Sequence, residues 1–256
     1  MQNQVQTTAR DRQVPDSHRT TARVVGVIYL AGMVVGVGGN ILVQSILGAP
    51  DPLAAVPANS TLLAVGAVLW LLAAAGDAAH GILMFPVLRP HGERIAVGYL
   101  GARVIDAVFV ATAALLILVQ IPLAGEYLKA GTAGGSSLLA LSSVLGQAQL
   151  VAYNFGMLTV GVAGLMLNYA FHRARLLSRP LAMWGLVGYA TILCGSVLEV
   201  LGFRLMDAHT LPGGLWELFV GVWLIARGFA PPVRAERTSS PTEAPATAPA
   251  VAGATA

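Results

Sequence analysis

The sequence predicts an all-α integral membrane protein, a bundle of six transmembrane helices with both termini in the cytoplasm. Of its 256 residues, 56% are hydrophobic and 11% are charged, whereas soluble domains carry about 25% charged residues. Six apolar runs alternate with short polar segments, and each run is long enough to cross a hydrocarbon core of about 30 Å. At this length one bundle is expected rather than two domains.

The chain divides into one predicted transmembrane domain and two predicted tails. The segment 1–21 is polar, and the segment 230–256 is rich in proline, alanine and threonine, so we expect both to be disordered and cytoplasmic. Between them, the transmembrane domain covers 22–229, with spans at about 24–47, 60–85, 95–121, 150–171, 181–203 and 212–229.

Local signals set the ends of several spans. Ser60 is expected to cap the second span, Pro86 to end it, and Pro180 to open the fifth. In the first span, small residues including Gly32 and Gly36 form notches where another helix could approach closely. The segment 124–149 contains two glycines and two serines in a row, and we expect either a loop or a re-entrant or interfacial helix there.

The distribution of basic residues predicts the orientation. Cytoplasmic loops of membrane proteins are enriched in Lys and Arg, and only Lys129 and Arg204 lie on the side opposite the termini. The remaining basic residues that set the orientation occupy the N-terminal tail, the second and fourth loops and the C-terminal tail: Arg10, Arg12, Arg19, Arg23, Arg89, Arg94, Arg173, Arg175, Arg179, Arg227, Arg234 and Arg237. A bacterial cytoplasmic membrane, crossed several times, is the expected location.

Ionisable residues within the second and third spans form a predicted intramembrane polar site. Charged side chains inside a bilayer are costly and usually pair or line a functional path. Asp77 and Arg103 each lie about 12 Å from the cytoplasmic end of their span, so they can form an ion pair across neighbouring antiparallel helices. The predicted site consists of Asp77, His80, Tyr99, Arg103 and Asp106.

The charges of this site do not balance, because two carboxylates face one guanidinium. Either an acid or the histidine holds a proton, or a cation or basic ligand completes the site. Three interpretations stay open: a polar clasp that only joins two helices, a site that handles a proton or ligand, and metal binding through Asp77 and His80. Metal binding is the least favoured of the three, because two ligands are too few to define a transition-metal site, so no metal ligand is included in the predicted site.

A second group of polar residues is predicted nearer the outer face, where Glu199 and Glu217 should lie about 6 to 8 Å below the surface. These acids either reach water, or pair with Arg204, or line an outward-open polar cavity. The predicted outer polar group comprises Asn40, Gln44, Asn154, Glu199 and Glu217.

Other functional classes find no support in the sequence. It carries no HExxH, GxSxG or P-loop motif, which argues against an enzyme. The scattered arginines give no nucleic-acid patch, the single Cys194 cannot form an intrachain disulfide, and no cofactor is predicted. The tripeptide Val-Gly-Tyr that ends at Tyr99 recurs at Tyr189, a faint sign of internal duplication.

Several stretches together resemble a bacterial family known as domain of unknown function 4386. They are Phe85-Pro86-Val87-Leu88, Ala96-Val97-Gly98-Tyr99, Ala102-Arg103-Val104-Ile105-Asp106, Tyr169 to Gly188, Trp216-Glu217, Gly221-Val222-Trp223-Leu224-Ile225 and Gly228-Phe229. The resemblance covers nearly all of 22–229 and implies a six-helix membrane protein without implying an activity. Relatives often carry Glu at the position of Asp106, and Asp77 is not a usual residue of that family.

Two functional hypotheses follow. The protein either handles a small molecule, ion or proton through its intramembrane polar site, or serves as a membrane scaffold or regulatory partner whose polar groups only fix helix packing. An intramembrane enzyme would require a second reactive group converging on Asp106 or Glu217. The bilayer and a small ligand are the expected partners, and the oligomeric state is left open.

Overall fold

The computed structural model describes residues 2–203, 205 and 208–230, and within them it is all-helical, without β-strands. The all-α prediction is therefore confirmed for this part of the chain. The helices are α1 (Gln2–Leu47), α2 (Pro52–Leu88), α3 (Glu93–Ala174), α4 (Arg179–Val200) and α5 (Leu211–Ala226), with short 3₁₀ turns at Arg89–His91 and Ala208–Thr210.

Helix α3 is folded back on itself at Gly131. This glycine adopts φ +57° and ψ −151°, a conformation that residues with a Cβ atom rarely adopt. The bend creates two arms, Glu93–Gly131 and Gly134–Ala174. Across the hairpin, the Ser142 hydroxyl donates to Oε1 of Gln120 at 2.9 Å, and Nε2 of Gln120 donates to the Ser142 carbonyl oxygen at 3.2 Å.

Five segments are long and apolar enough to cross a membrane: His18–Leu47, Pro52–His91, the two arms of α3, and Arg179–Val200. Helix α5 is shorter, with 16 residues. Many Val, Leu and Ile side chains on the outside of the bundle are exposed, and Val34 is the extreme case at 72%. Such a surface is typical of helices that face lipid.

The second helix begins and ends differently from the prediction. It starts at Pro52, where Oδ1 of Asp51 accepts a hydrogen bond from the Ala54 amide at 3.1 Å, so Asp51 and not Ser60 is the N-cap. The segment 48–59, which precedes the predicted second span, is therefore largely helical, with a kink at Asn59. Proline in the last turn does not end the helix at once, because α2 continues past Pro86 to Leu88.

The segment 124–149 is neither a loop nor a separate re-entrant or interfacial helix, because it continues both arms of α3. The run of glycines and serines is helical and does not form a loop. The Ser137 hydroxyl donates a hydrogen bond to the Gly134 carbonyl oxygen at 2.9 Å. The absence of a side chain at Gly135 leaves room for the ring of Tyr127.

The two predicted tails have different outcomes. Helix α1 already begins at Gln2, whereas the sequence predicts a disordered tail over 1–21. The predicted C-terminal tail lies outside the described residues from 231 onward.

Two hydrophobic clusters form the core, one toward each end of the bundle. The first gathers all five helices around Tyr29, Tyr99, Phe171 and Trp216. The second lies at the opposite end and is built by α1, α2 and α3 alone, around Leu63 and related residues. Along α1, the first cluster ends at Tyr29 and the second begins at Val43, so a gap at mid-height of the bundle separates the two clusters.

Candidate functional site

An ion-pair triad joins α2 to the first arm of α3. Nη2 of Arg103 lies 2.5 Å from Oδ1 of Asp77, and Nη1 lies 3.5 Å from Oδ2 of Asp106. The Arg103 and Asp106 side chains are 7% and 1% exposed, whereas that of Asp77 is 27% exposed. The absence of a side chain at Gly81 lets α2 come close to Arg103, because a Cβ there would lie 3.0 Å from the Arg103 Cβ.

One helical turn away, His80 is fully buried and has one polar partner. Its Nδ1 lies 2.5 Å from the hydroxyl oxygen of Tyr99, and the ring of Tyr29 packs edge-on against its imidazole, with 4.6 Å between centroids. Nε2 of His80 has no hydrogen-bond partner among the described residues. All five residues of the predicted intramembrane site thus lie together.

A second polar pair connects α4 to α5. The Tyr189 hydroxyl donates to Oε1 of Glu217 at 2.6 Å, and the Tyr189 ring fits over Gly164, where any Cβ atom would overlap it. Because Tyr189 lies near the middle of the 22-residue α4, its partner Glu217 reaches deeper into the bundle than the sequence analysis expects.

Both polar groups face one cavity of about 270 Å³, which fills the gap between the two core clusters. Helices α1, α2, α3, α4 and α5 all contribute to its walls. Its polar lining includes Asp77, His80, Arg103 and Glu217, and Thr210 and Gly214 line it where α5 begins.

The charges around the cavity are unbalanced. Asp77, Asp106 and Glu217 supply three carboxyl groups, and Arg103 is the guanidinium that pairs with two of them. Uncompensated charge in a low-dielectric interior costs several kcal/mol per ion. The site therefore favours bound protons or a positively charged ligand over an anion.

The other residues of the predicted outer polar group do not converge on this cavity. Gln44 lines a second cavity of about 330 Å³ together with Gln120 and Gln149. Oε1 of Glu199 lies 3.9 Å from Nδ1 of His209. Arg204, which the sequence offers as a partner for Glu199, lies outside the described residues. Asn40 is half-buried in α1.

Asn154 is 8% exposed, and its Oδ1 has no hydrogen-bond partner among the described residues. The residue does not line either of these cavities. Glu217 is thus the one member of the predicted outer polar group that the structure brings to the cavity of the intramembrane site.

The glycines of α1 have two different roles. A Cβ at Gly39 would overlap the Trp70 side chain and approach the backbone of Gly66, so Gly39 is a notch for close helix packing, as the sequence predicts. A Cβ atom at Gly32 or Gly36 would have no atom of another helix within 4 Å, and both residues line the cavity. Their missing side chains make room for the cavity and not for another helix.

Sequence reasoning missed the tyrosines that complete the site. Tyr29 gives no sequence signal, because a lone tyrosine in an apolar span is common. Tyr189 does have one, since it ends the second copy of the tripeptide that also ends at Tyr99. In each copy the tyrosine hydroxyl meets a polar side chain of the site, His80 in one and Glu217 in the other.

No group of three His, Cys, Asp or Glu side chains in the described part of the chain could hold a metal ion. The arrangement is instead that of paired charges and tyrosine hydroxyls beside a cavity whose remaining wall is largely apolar.

An all-helical fold, five apolar helices of membrane-spanning length and charged residues enclosed among them define a polytopic membrane protein. More specifically, the chain belongs to the family described as Domain of unknown function (DUF4386), which matches residues 24–228. The family predicted from the sequence motifs is therefore confirmed. No curated protein and no solved structure matches the chain.

Proposed function

We propose that this protein binds a small molecule, an ion or a proton in the cavity between its two core clusters. One observation carries the proposal: Asp77, Glu217 and Arg103 line a cavity among the helices of an apolar bundle, and the carboxyl group of Asp106 also pairs with Arg103. A structural ion pair needs one acid for each base and no cavity. An excess of acidic groups next to a cavity suits the reversible binding of a positive charge.

The proposal includes a topology of six crossings with both termini in the cytoplasm of a bacterium. Helix α5 supplies the sixth crossing; its 16 residues extend about 24 Å, and short spans are accommodated by local thinning of the bilayer. Six antiparallel crossings, counting the two arms of α3 separately, return the chain to the side from which it started.

Labelling of intact cells is expected to distinguish the two sides. Epitope tags at both termini should react only after the cells are permeabilised, because the arginine-rich side faces the cytoplasm. A cysteine at Glu126, whose side chain is 64% exposed near the bend of α3, should react from outside in a Cys194→Ser background. Reaction of both terminal tags in intact cells would reverse the topology.

Water access to the cavity can be measured by cysteine reactivity. We expect Gly36→Cys, in a Cys194→Ser background, to react with a charged methanethiosulfonate reagent, because position 36 lines the cavity and has room for a side chain. The matched control is Val34→Cys two residues away, at a position that is 72% exposed on the outside of the bundle. Lipid should protect that thiol, since the reagent requires a hydrated thiolate.

Equal reaction rates at the two positions would count against a hydrated binding cavity. The second candidate function, a membrane scaffold or regulatory partner, would then be favoured. It has one specific observation in its support, because the Arg103–Asp77 ion pair directly joins α2 to α3 and could serve only to hold these helices in register.

A further inference from the structure

The Glu217 carboxylate is the acid of the cavity that has no basic partner. Its Oε1 accepts the Tyr189 hydroxyl hydrogen bond, and no basic side chain of the described residues lies within 4.0 Å of it. Asp77 differs, because Arg103 already pairs with it. A positive charge that enters the cavity would therefore find its counter-charge at Glu217.

A second group in the cavity also lacks a partner. The imidazole of His80 is 0% exposed and lines the cavity, and its Nε2 is without a hydrogen bond among the described residues. A buried polar atom left without a hydrogen bond destabilises the folded protein. A ligand with a polar group at this point would remove that destabilisation.

The rest of the wall is apolar and aromatic. Met33, Met157, Val160 and Ile192 provide an apolar surface, and the ring of Tyr29 stands beside it. Methionine side chains adapt to ligands of irregular shape, and aromatic rings attract cations that come over their faces. Such a wall suits a hydrocarbon group better than a bare hydrated ion.

From these three observations we propose that the ligand is a small organic monocation, an ammonium group that carries a short apolar chain. The ammonium pairs with Glu217 and donates to Nε2 of His80, which accepts in the tautomer whose Nδ1–H donates to the Tyr99 hydroxyl oxygen. The chain packs against the methionines and aliphatic residues. This inference rests on the proposed binding function and names the class of ligand for it.

Size and charge exclude the other classes. The cavity of about 270 Å³ lies just below the usual range of ligand pockets, roughly 300–1,000 Å³, so the ligand is smaller than a typical drug. An anion would need a free cationic group, but Asp77 and Asp106 already occupy the Arg103 guanidinium. Mg²⁺ or Ca²⁺ would need about six or more oxygen ligands, and most of the wall offers none.

The experiment is calorimetric titration of the full chain in lipid nanodiscs with n-butylammonium chloride. Sodium chloride and n-butanol serve as comparison titrants, since the first has the charge without the chain and the second has the chain without the charge. We expect saturable binding of butylammonium and no saturable binding of the other two.

Two substitutions locate the binding. Glu217→Gln is expected to weaken butylammonium binding about 10-fold or more, because hydrogen bonds to charged groups contribute about 1.5–3 kcal/mol. Its matched control is Glu126→Gln, which removes an exposed carboxylate near the bend of α3 and should leave the affinity unchanged. Should Glu217→Gln fail to fold, Gly32→Leu provides an independent variant that fills the cavity where no atom lies within 4 Å, and it should abolish binding.

The outcomes separate this inference from the function on which it rests. Equal binding of butanol, an unchanged affinity in Glu217→Gln, or displacement of butylammonium by sodium would overturn the organic cation while leaving a binding cavity in place. Absence of butylammonium binding together with a reactive Gly36→Cys would also overturn the organic cation and leave the binding cavity in place. Absence of binding by every titrant, with Gly36→Cys no more reactive than Val34→Cys, would overturn both.

Discussion

Replacement of Arg103 by methionine is expected to lower the free energy of unfolding by about 3–5 kcal/mol, the usual cost of removing one partner from a buried ion pair. Methionine keeps most of the length of the arginine side chain, so the effect reports the charge and not a void. Without the guanidinium, Asp77 and Asp106 would face each other unpaired inside the bundle. Unfolding of the purified protein, followed by circular dichroism in increasing denaturing detergent, measures the change.

Two further variants test whether the loss comes from unpaired acids. Adding Asp77→Asn and Asp106→Asn to Arg103→Met removes all three charges and should restore much of the stability, because neutral groups cost less to bury than charges. Arg89→Met is the control, since Arg89 forms an exposed pair with Glu93 and should change stability by less than about 1 kcal/mol. A stable Arg103→Met protein would contradict the expectation that the Arg103 guanidinium compensates buried negative charge in this bundle.

Replacement of Trp216 by alanine is expected to destabilise the fold to a similar degree, by about 3–5 kcal/mol. Trp216 is 0% exposed, and its Nε1 donates to the Leu181 carbonyl oxygen at 2.8 Å. Its ring contacts Tyr29 and Tyr189 with centroid distances of 6.0 and 5.5 Å, so it joins α5 to both α1 and α4. The same detergent unfolding assay measures the loss.

Trp184 supplies the matched control for this prediction. It lies at the outer surface, 38% exposed, and its Nε1 donates to the Pro212 carbonyl oxygen at 3.2 Å. We expect Trp184→Ala to cost clearly less than Trp216→Ala, because lipid can fill the space that the lost ring leaves. Equal losses from the two substitutions would mean that α5 is not anchored through Trp216.

The parts of the site that were predictable are those fixed by short stretches of chain. Asp77 and Arg103 lie on neighbouring helices joined by a tight turn. Because the two residues lie at equal depth in these helices, a contact between them was expected. In the structure, Oδ1 of Asp77 lies 2.5 Å from Nη2 of Arg103. The contact between His80 and Tyr99 follows from the same alignment of the two helices. In each case the cost of a lone polar group in an apolar span made pairing the expected solution.

The remaining parts depend on how distant helices pack, which no local pattern specifies. Glu217 was expected near the outer surface, because its depth was counted from the helix end, whereas its partner Tyr189 lies in the middle of α4. The contribution of Tyr29 requires α1 to lie beside α2 and α5. Gly32 and Gly36 have the spacing of a packing motif, and only the positions of the other helices show that they face a cavity.

The hairpin of α3 is longer than a membrane is thick. Its first arm, Glu93–Gly131, has 39 residues and extends about 58 Å. Even at a tilt of roughly 40°, the length of this arm along the membrane normal is more than the roughly 30 Å thickness of the hydrocarbon core. In the proposed topology, with the third span beginning near residue 95, the bend at Gly131 stands clear of the lipid on the side opposite the termini. A small rigid protein inserted there would project on two continuous helices, and it would supply the alignment marker that electron cryo-microscopy of so small a membrane protein requires.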